Sequence, residues 1–196
     1  MPAQSTVGIL LAAGFGRRFD PKGSENKLLQ LLENGVPVAV QSAQHLLDVL
    51  TDVVAVVQCP ALAKMLTDLG CHAVIFADAD KGMGASLSFG VGWVLSQFPD
   101  ARAVLVGLAD MPFIDVATTD AVIKELERGV DIVQPVFNGD AGHPVGFSRR
   151  HFPALMALHG DTGARHLIRE FPVLQIPVDD PGILQDVDYP SDLSPS

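Results

Sequence analysis

The chain has 196 residues, which at roughly 150 residues per domain corresponds to a single domain over 1–196. Its 13 Lys plus Arg against 23 Asp plus Glu leave a formal net charge of −10, which repels polyanions and excludes nucleic acid and anionic membrane surfaces as partners. With 48% apolar and 18% charged residues the composition supplies a sizeable core and excludes intrinsic disorder. Cys59 and Cys71 stand twelve apart and, with only His72 next to them, do not complete a tetrahedral metal pattern; they read as reduced thiols of an intracellular protein. The apolar segment 7–13 has no basic segment before it and runs into Gly14, so it does not read as a signal peptide. No run reaches the ~20 apolar residues of a membrane span, and the expected location is the cytoplasm.

Short unalternating apolar runs recur at 7–13, 52–58, 72–77, 103–108, 131–137 and 173–178, the pattern of strands buried on both faces. Helical spacing fills the gaps, with Val40, Ala43, Leu46, Leu47 and Leu50 in 38–50 and Leu87, Val91, Val94 and Leu95 in 86–98. Asp115 is placed to cap a helix holding Val122, Ile123 and Leu126, and Gly129 to end it. The alternation predicts an α/β fold with a mainly parallel sheet and ligands beyond the carboxyl ends of the strands. The tail 189–196, with Pro190, Pro195 and three serines, is expected to fray.

After the first strand come Gly14, Phe15, Gly16, Arg17, Arg18 and Phe19, then Lys22 and Lys27. Glycines let backbone N–H groups approach an anion closely, and a loop of such donors cradles phosphate. Four of the thirteen basic residues fall within these eleven positions, 17–27, of an otherwise acidic chain. The dinucleotide fingerprint is excluded because Phe19 stands where its third glycine belongs, and a Walker A loop because Lys22-Gly23-Ser24 is in the wrong order. The competing reading is an ordinary tight turn with solvated charges.

Asp110, between the strand 103–108 and Met111-Pro112, projects into the same crevice and suits Mg²⁺ as a hard oxygen ligand, unless it only caps the next turn. Asp186 and Asp188 fall on one side of an extended segment by alternation; the alternative is an acidic loop that caps a helix. The stretch Lys81-Gly82-Met83-Gly84-Ala85-Ser86-Leu87 opens a helix and offers free N–H groups to an anion, a weak signal by itself. Arg149 and Arg150 follow Gly142-His143-Pro144, and Arg165 and Arg169 follow Gly160-Asp161-Thr162-Gly163. These make a second basic zone, and two zones fit two anionic ligands. His143 reads either as a general base or as a hydrogen-bonded structural residue. Met83, Phe15 and Trp93 read as core or pocket wall.

Leu11-Ala12-Ala13-Gly14-Phe15-Gly16-Arg17-Arg18-Phe19 resembles the opening signature of the MobA-like nucleotidyltransferases, and more narrowly their MocA branch, the molybdenum cofactor cytidylyltransferases. Asp110-Met111-Pro112, Gly82-Met83-Gly84-Ala85-Ser86-Leu87, Gly142-His143-Pro144, Gly160 to Arg165 and Asp186-Val187-Asp188-Tyr189-Pro190 are similar to further motifs of that family, in the same order. The chain departs from it in the seven-residue insertion 20–26 before Lys27, in Tyr189 for Thr and in Ser191 for Glu. The resemblance implies a Rossmann-like three-layer α/β/α nucleotidyltransferase fold, with an NTP-binding N-terminal half and an acceptor-binding C-terminal half. It implies that Leu11, Ala12, Ala13, Gly14, Gly16, Arg17, Lys27, Gly84 and Ser86 bind the nucleotide, with Lys22 the alternative to Lys27. Arg17, Lys27 and Asp110 would act in catalysis. Asp110 and Asp188, with Asp186 the alternative, would hold Mg²⁺, and His143, Arg149, Asp161 and Arg165 would meet the acceptor. The reaction implied is CMP transfer from CTP to Mo-molybdopterin, with Ala13 in place of the guanylyltransferase branch's Gly as the sign of CTP, and a molybdoenzyme as recipient. A guanylyltransferase, a sugar-phosphate nucleotidyltransferase of the same fold and a non-catalytic cofactor accessory protein are the other readings.

Overall fold

In strand β1 (Thr6–Ala12) every residue is buried, and the side chains divide by alternation. Val7, Ile9 and Leu11 join one apolar cluster while Leu10 and Ala12 join another. Such a strand is stable only in the middle of a sheet covered on both faces, and that is where the computed structural model, which describes residues 6–14, 19 and 26–194, places it. Strands β2 (Val53–Val57), β3 (His72–Ile75) and β4 (Ala103–Leu108) run parallel to it, in the order β3-β2-β1-β4. Beyond β4 lie β7 (Val145–Ser148) and β5 (Ile132–Phe137), with the two-residue β6 (Asp140–Ala141) and β8 (Leu174–Pro177) both paired to β5. β7 is antiparallel to both of its neighbours and the short β6 is antiparallel to β5, so the sheet is mostly parallel with β7 reversed near its centre and β6 reversed at its edge.

Helices α1 (Val38–Leu47), α2 (Pro60–Leu69) and α4 (Val116–Glu127) cover the face carrying Leu10, Ala55 and Leu105. Helices α3 (Met83–Gln97), α5 (Phe152–Met156) and α6 (Arg165–Glu170) cover the face carrying Ile9, Val56 and Val106. The three-layer α/β/α architecture is the one expected. All six runs read as strands contain one, whereas β7 lies in a glycine-rich polar stretch with too short an apolar run to stand out. The two cysteines are free, and burial pushes the Cys71 thiol up to about 11. Among the described residues no helix is long and apolar enough to cross a membrane.

Two expectations are corrected. Asp115 stands at the N-terminus of α4 but its side chain makes no cap. The cap comes from Asp180, beyond β8 and only 3% exposed, whose Oδ2 accepts from Asp115 N at 2.9 Å and from Thr118 Oγ1 at 2.7 Å while its Oδ1 accepts from Gly182 N. At the other end Gly129, with φ of 91°, turns the chain out of the helix as expected. The tail does not fray from residue 189: Pro190–Leu193 forms a 3-10 turn, fastened by Asp192 Oδ2, which accepts from Asp188 N and Tyr189 N.

Because Asp180 satisfies three donors from the protein interior, Asp180→Ala leaves them unpaired. By the usual cost of a lost cap and of buried unsatisfied groups, the variant should lose about 2–4 kcal/mol in urea denaturation. Asp180→Asn, which keeps part of the hydrogen bonding, should lose less.

Candidate active site

The central strands β1 and β4 end side by side, and the chain beyond them is pinned. Ala109 N–H donates to Leu11 O at 3.0 Å, Met111 N–H donates to Leu108 O, and Ser42 of α1 donates its hydroxyl to Ala109 O at 2.9 Å. The carbonyl of Asp110 then accepts from Val187 N–H at 2.8 Å. Val187 is fully buried, so its neighbours Asp186 and Asp188 project to the opposite side, beside Asp110. The result is a triad: carboxylate oxygens of Asp110, Asp186 and Asp188 all lie within 4.8 Å of one another.

Lys27, 6% exposed, reaches into this triad from the 3-10 turn Lys27–Leu29, and its Nζ lies 2.7 Å from Asp110 Oδ2 and 3.2 Å from Asp188 Oδ1. Asn26 fixes that turn by accepting from Leu28 N–H. Burial by itself would lower the Lys27 pKa, but the two carboxylates outweigh it and hold the ammonium above its ordinary value. Asp186 is pushed the other way, its carboxyl raised by burial and then by the charges of Asp188 and Asp110. Three carboxylates against one ammonium leave negative charge uncompensated, and an all-oxygen donor set of this spacing fits a hard divalent cation.

Next to the triad opens a cavity of about 390 Å³ whose lining includes Leu11, Gln134, His143, Asp161, Arg165 and Asp186. Of the expected acceptor residues, His143, Asp161 and Arg165 therefore share one space. Arg149 does not join them: its guanidinium donates to Pro99 O and Ala101 O, just before β4 begins and so at the opposite end of the sheet. Arg150 pairs with Asp131, just before β5, at that same far end. The second basic zone is thus divided, because β7 runs antiparallel and carries the residues after it away from the crevice.

Gly84 and Ser86 are both engaged within the fold. Gly84 donates its N–H to Gly160 O at 2.7 Å, and buried Ser86 turns its hydroxyl to Gly82 O. A Cβ at Gly84 would stand 2.8 Å from that same carbonyl oxygen, and one at Gly82, where φ is 98°, would stand 2.6 Å from it. These glycines permit backbone contact between the start of α3 and the turn before α6, a contact that takes up the Gly84 amide. On the nucleotide side Leu11, Ala12 and Ala13 are buried, and Gly14 is exposed with its carbonyl accepting from Gln58 Nε2 at 3.1 Å. Gly16, Arg17, Arg18 and Lys22 lie outside the described residues. Gln134 is a site residue the sequence did not disclose, a single polar side chain inside an apolar strand run.

A mostly parallel α/β sheet with an acidic triad beside a lysine at its carboxyl edge is the framework of a nucleotidyltransferase, and comparison with known proteins identifies which. The MobA-like NTP transferase domain matches residues 8–176, and the chain belongs to that family. It is 31% identical over 200 residues to the purine catabolism protein PucB of Bacillus subtilis (strain 168), across 95% of this chain and 93% of that one. The crystal structure of Rv0371c from Mycobacterium tuberculosis H37Rv superposes with a TM-score of 0.81 at 26% identity, covering 98% of this chain and 96% of the other. The structure of Rv0371c in complex with manganese gives a TM-score of 0.75 at 25% identity, covering 96% of each chain. The protein is a nucleotidyltransferase that takes a nucleoside triphosphate, and its family uses divalent metals.

The raised Asp186 carboxyl gives a signed pH dependence. A carboxyl whose pKa is higher folded than unfolded favours the fold when protonated, and that contribution disappears as pH rises through the folded pKa. In EDTA, Asp186→Asn should therefore melt higher than wild type at pH 7, with the gap closing as pH falls into the ordinary carboxylate range. Adding Mn²⁺ at about a hundredfold excess over its Kd should stabilise the wild type by about 2.7 kcal/mol, and Asp110→Asn should lose that response.

Proposed function

We propose that the protein transfers CMP from CTP to a molybdopterin-type acceptor, Mo-molybdopterin, giving molybdopterin cytosine dinucleotide and pyrophosphate, with Mg²⁺ as the working ion and a molybdoenzyme as the eventual recipient. The observation that carries this reading is that Asp186 belongs at once to the carboxylate triad and to the cavity lining. A flat acceptor held in the cavity presents its phosphate end at the triad, where an NTP is activated. Ala13 supports CTP as the donor. Its methyl is 5% exposed, so it acts on base choice through the path of the backbone into Gly14.

In this scheme an oxygen of the acceptor's terminal phosphate attacks the α-phosphorus, a new P–O bond forms, and the bond to the α–β bridging oxygen breaks as pyrophosphate leaves. Asp110, Asp186 and Asp188 would hold the metal ion, which when bound neutralises phosphate charge and orients the reacting groups. Lys27, kept protonated by Asp110 and Asp188, supplies positive charge to the departing pyrophosphate, with Arg17 as its partner. Arg165 draws the acceptor's phosphate toward the cavity mouth. The attacking phosphate is already ionised, so His143 is not required as a base, and positioning with charge neutralisation does the catalysis.

Incubation with CTP, Mo-molybdopterin and Mg²⁺, followed by anion-exchange chromatography, should yield the cytosine dinucleotide and pyrophosphate, with less product from GTP. Asp110→Asn should lower kcat by about 10²–10³, the scale of losing one group that stabilises transition-state charge. Exclusive transfer from GTP, or transfer to a sugar phosphate and not to the pterin, would replace this assignment with one of its relatives, and no transfer at all would sink it.

A further inference from the structure

Lys27 and a divalent ion draw on the same two carboxylates. The Lys27 ammonium lies 2.7 Å from Asp110 Oδ2 and 3.2 Å from Asp188 Oδ1 and so bridges them. Asp110 and Asp188 are also two of the three residues whose carboxylate oxygens lie within 4.8 Å of one another. A hard cation takes such oxygens at about 2.0–2.6 Å, which puts an ion ligated by both residues into the gap that the ammonium spans. Cations that share a gap repel. A single and a double charge about 5 Å apart weaken each other's binding by about tenfold or more even at the dielectric of water. Among the described residues Asp186, the exposed member of the triad, makes no ion pair with Lys27, so it offers the ion a first ligand.

Of the groups around this gap, the ammonium is the one free to move. The backbone beneath it is fixed: Leu28 N–H donates to Asn26 Oδ1 at 3.0 Å, Gln30 N–H donates to Lys27 O at 3.2 Å, and Leu28 is 2% exposed in the core. The four-carbon stem of a lysine turns about its own bonds, so the charge can leave the carboxylates while the turn stays in place. The two aspartates cannot follow it. Ser42 holds the Ala109 carbonyl before Asp110, Val187 N–H holds the carbonyl of Asp110 itself, and Asp192 Oδ2 holds Asp188 N–H at 3.0 Å.

We infer that Lys27 is a tethered competitor of the divalent ion for Asp110 and Asp188, and that entry of the ion drives the ammonium out of the pair. A lysine displaced from its partners inside a protein needs another anion, and the phosphates of a nucleotide supply one. The triad then loads its ion together with nucleotide and not ahead of it. That consequence rests on the transferase reading above; the competition itself does not.

Titration of the full chain with Mn²⁺ alone at fixed neutral pH, with free Mn²⁺ read by electron paramagnetic resonance, compares wild type with Lys27→Met, which keeps most of the stem and removes the charge. The variant, provided it melts cooperatively, should bind Mn²⁺ at least about tenfold more tightly. A second measurement needs no variant. Acetylation of the wild type with sulfosuccinimidyl acetate, followed by peptide mass spectrometry, should modify Lys27, 6% exposed, slowly in EDTA. At the Mn²⁺ concentration that saturates the titration it should do so several-fold faster, with the exposed Lys64 and Lys124 unchanged. Equal or weaker Mn²⁺ binding by Lys27→Met, as expected of a lysine that only braces the triad, overturns the inference. So does Lys27 acetylation that Mn²⁺ leaves unchanged or slows, and so does Mn²⁺ that binds neither protein. Nucleotide and pterin take no part in either measurement. The competition therefore stands if both results are as expected while CMP transfer fails, and it falls if they are not, even where transfer is observed.

Discussion

The hydrogen bond from Val187 N–H to the Asp110 carbonyl, 2.8 Å long, joins residues 77 positions apart in sequence, and the site depends on it. Asp110 ends a central strand, and Asp186 and Asp188 belong to the last stretch of chain before the closing turn; neither region makes a site by itself. Bringing three carboxylates within 4.8 Å is electrostatically unfavourable without a cation, and the fold meets that with surrounding structure. Val187 is anchored in the core, Asp192 fastens the segment just after Asp188, and Ser42 of α1 holds the Ala109 carbonyl. The strain therefore rests on a framework of packed strands and helices, which is how ligand sites store unfavourable charge until a ligand relieves it.

Lys27 sits within the same balance. A buried ammonium is as costly as a buried carboxylate, and the pairing of Lys27 with Asp110 and Asp188 makes each tolerable for the others. One positive charge among three negative ones is enough to support the fold and too little to neutralise the triad. A site left with that residual negative charge and supplied only with oxygen donors attracts a divalent cation, and with it the phosphates of a nucleotide.

Most of the fold was legible in the sequence because the central strands are buried on both faces, which produces unalternating apolar runs that no surface element would show. The two acidic segments were also legible: Asp110 stands just past a strand end, and the Asp-Val-Asp alternation put both carboxylates on one side once Val187 was anchored inside. What could not be read has a shared cause. Arg149 looked like part of a basic zone because it lies six residues from His143 in sequence, yet β7 occupies the space between them and its antiparallel direction carries Arg149 to the far end of the sheet. Asp115 looked like a helix cap until Asp180, 65 residues away, took that role. Gly84 resembled an anion-binding glycine, but its amide and its missing Cβ both serve the contact with Gly160. In each case the decisive partner is remote in sequence, and local pattern carries no information about it.

The same reasoning explains why Gln134 escaped notice and why it matters. A lone glutamine inside Ile-Val-Gln-Pro-Val-Phe reads as an interruption of a strand, and the cost of burying its amide would disfavour it there unless something used it. Half of that amide is used by the Gly142 carbonyl, so the glutamine ties β5 to the loop that carries His143. The other half faces the cavity. A buried polar group that is satisfied on one side and open on the other holds its free atom with little rotational freedom. The acidic triad supplies chemistry that many phosphates can share. Beside it, the reversed strand β7 and its preceding loop set the positions of His143 and, through Gly142, of Gln134 in the cavity wall.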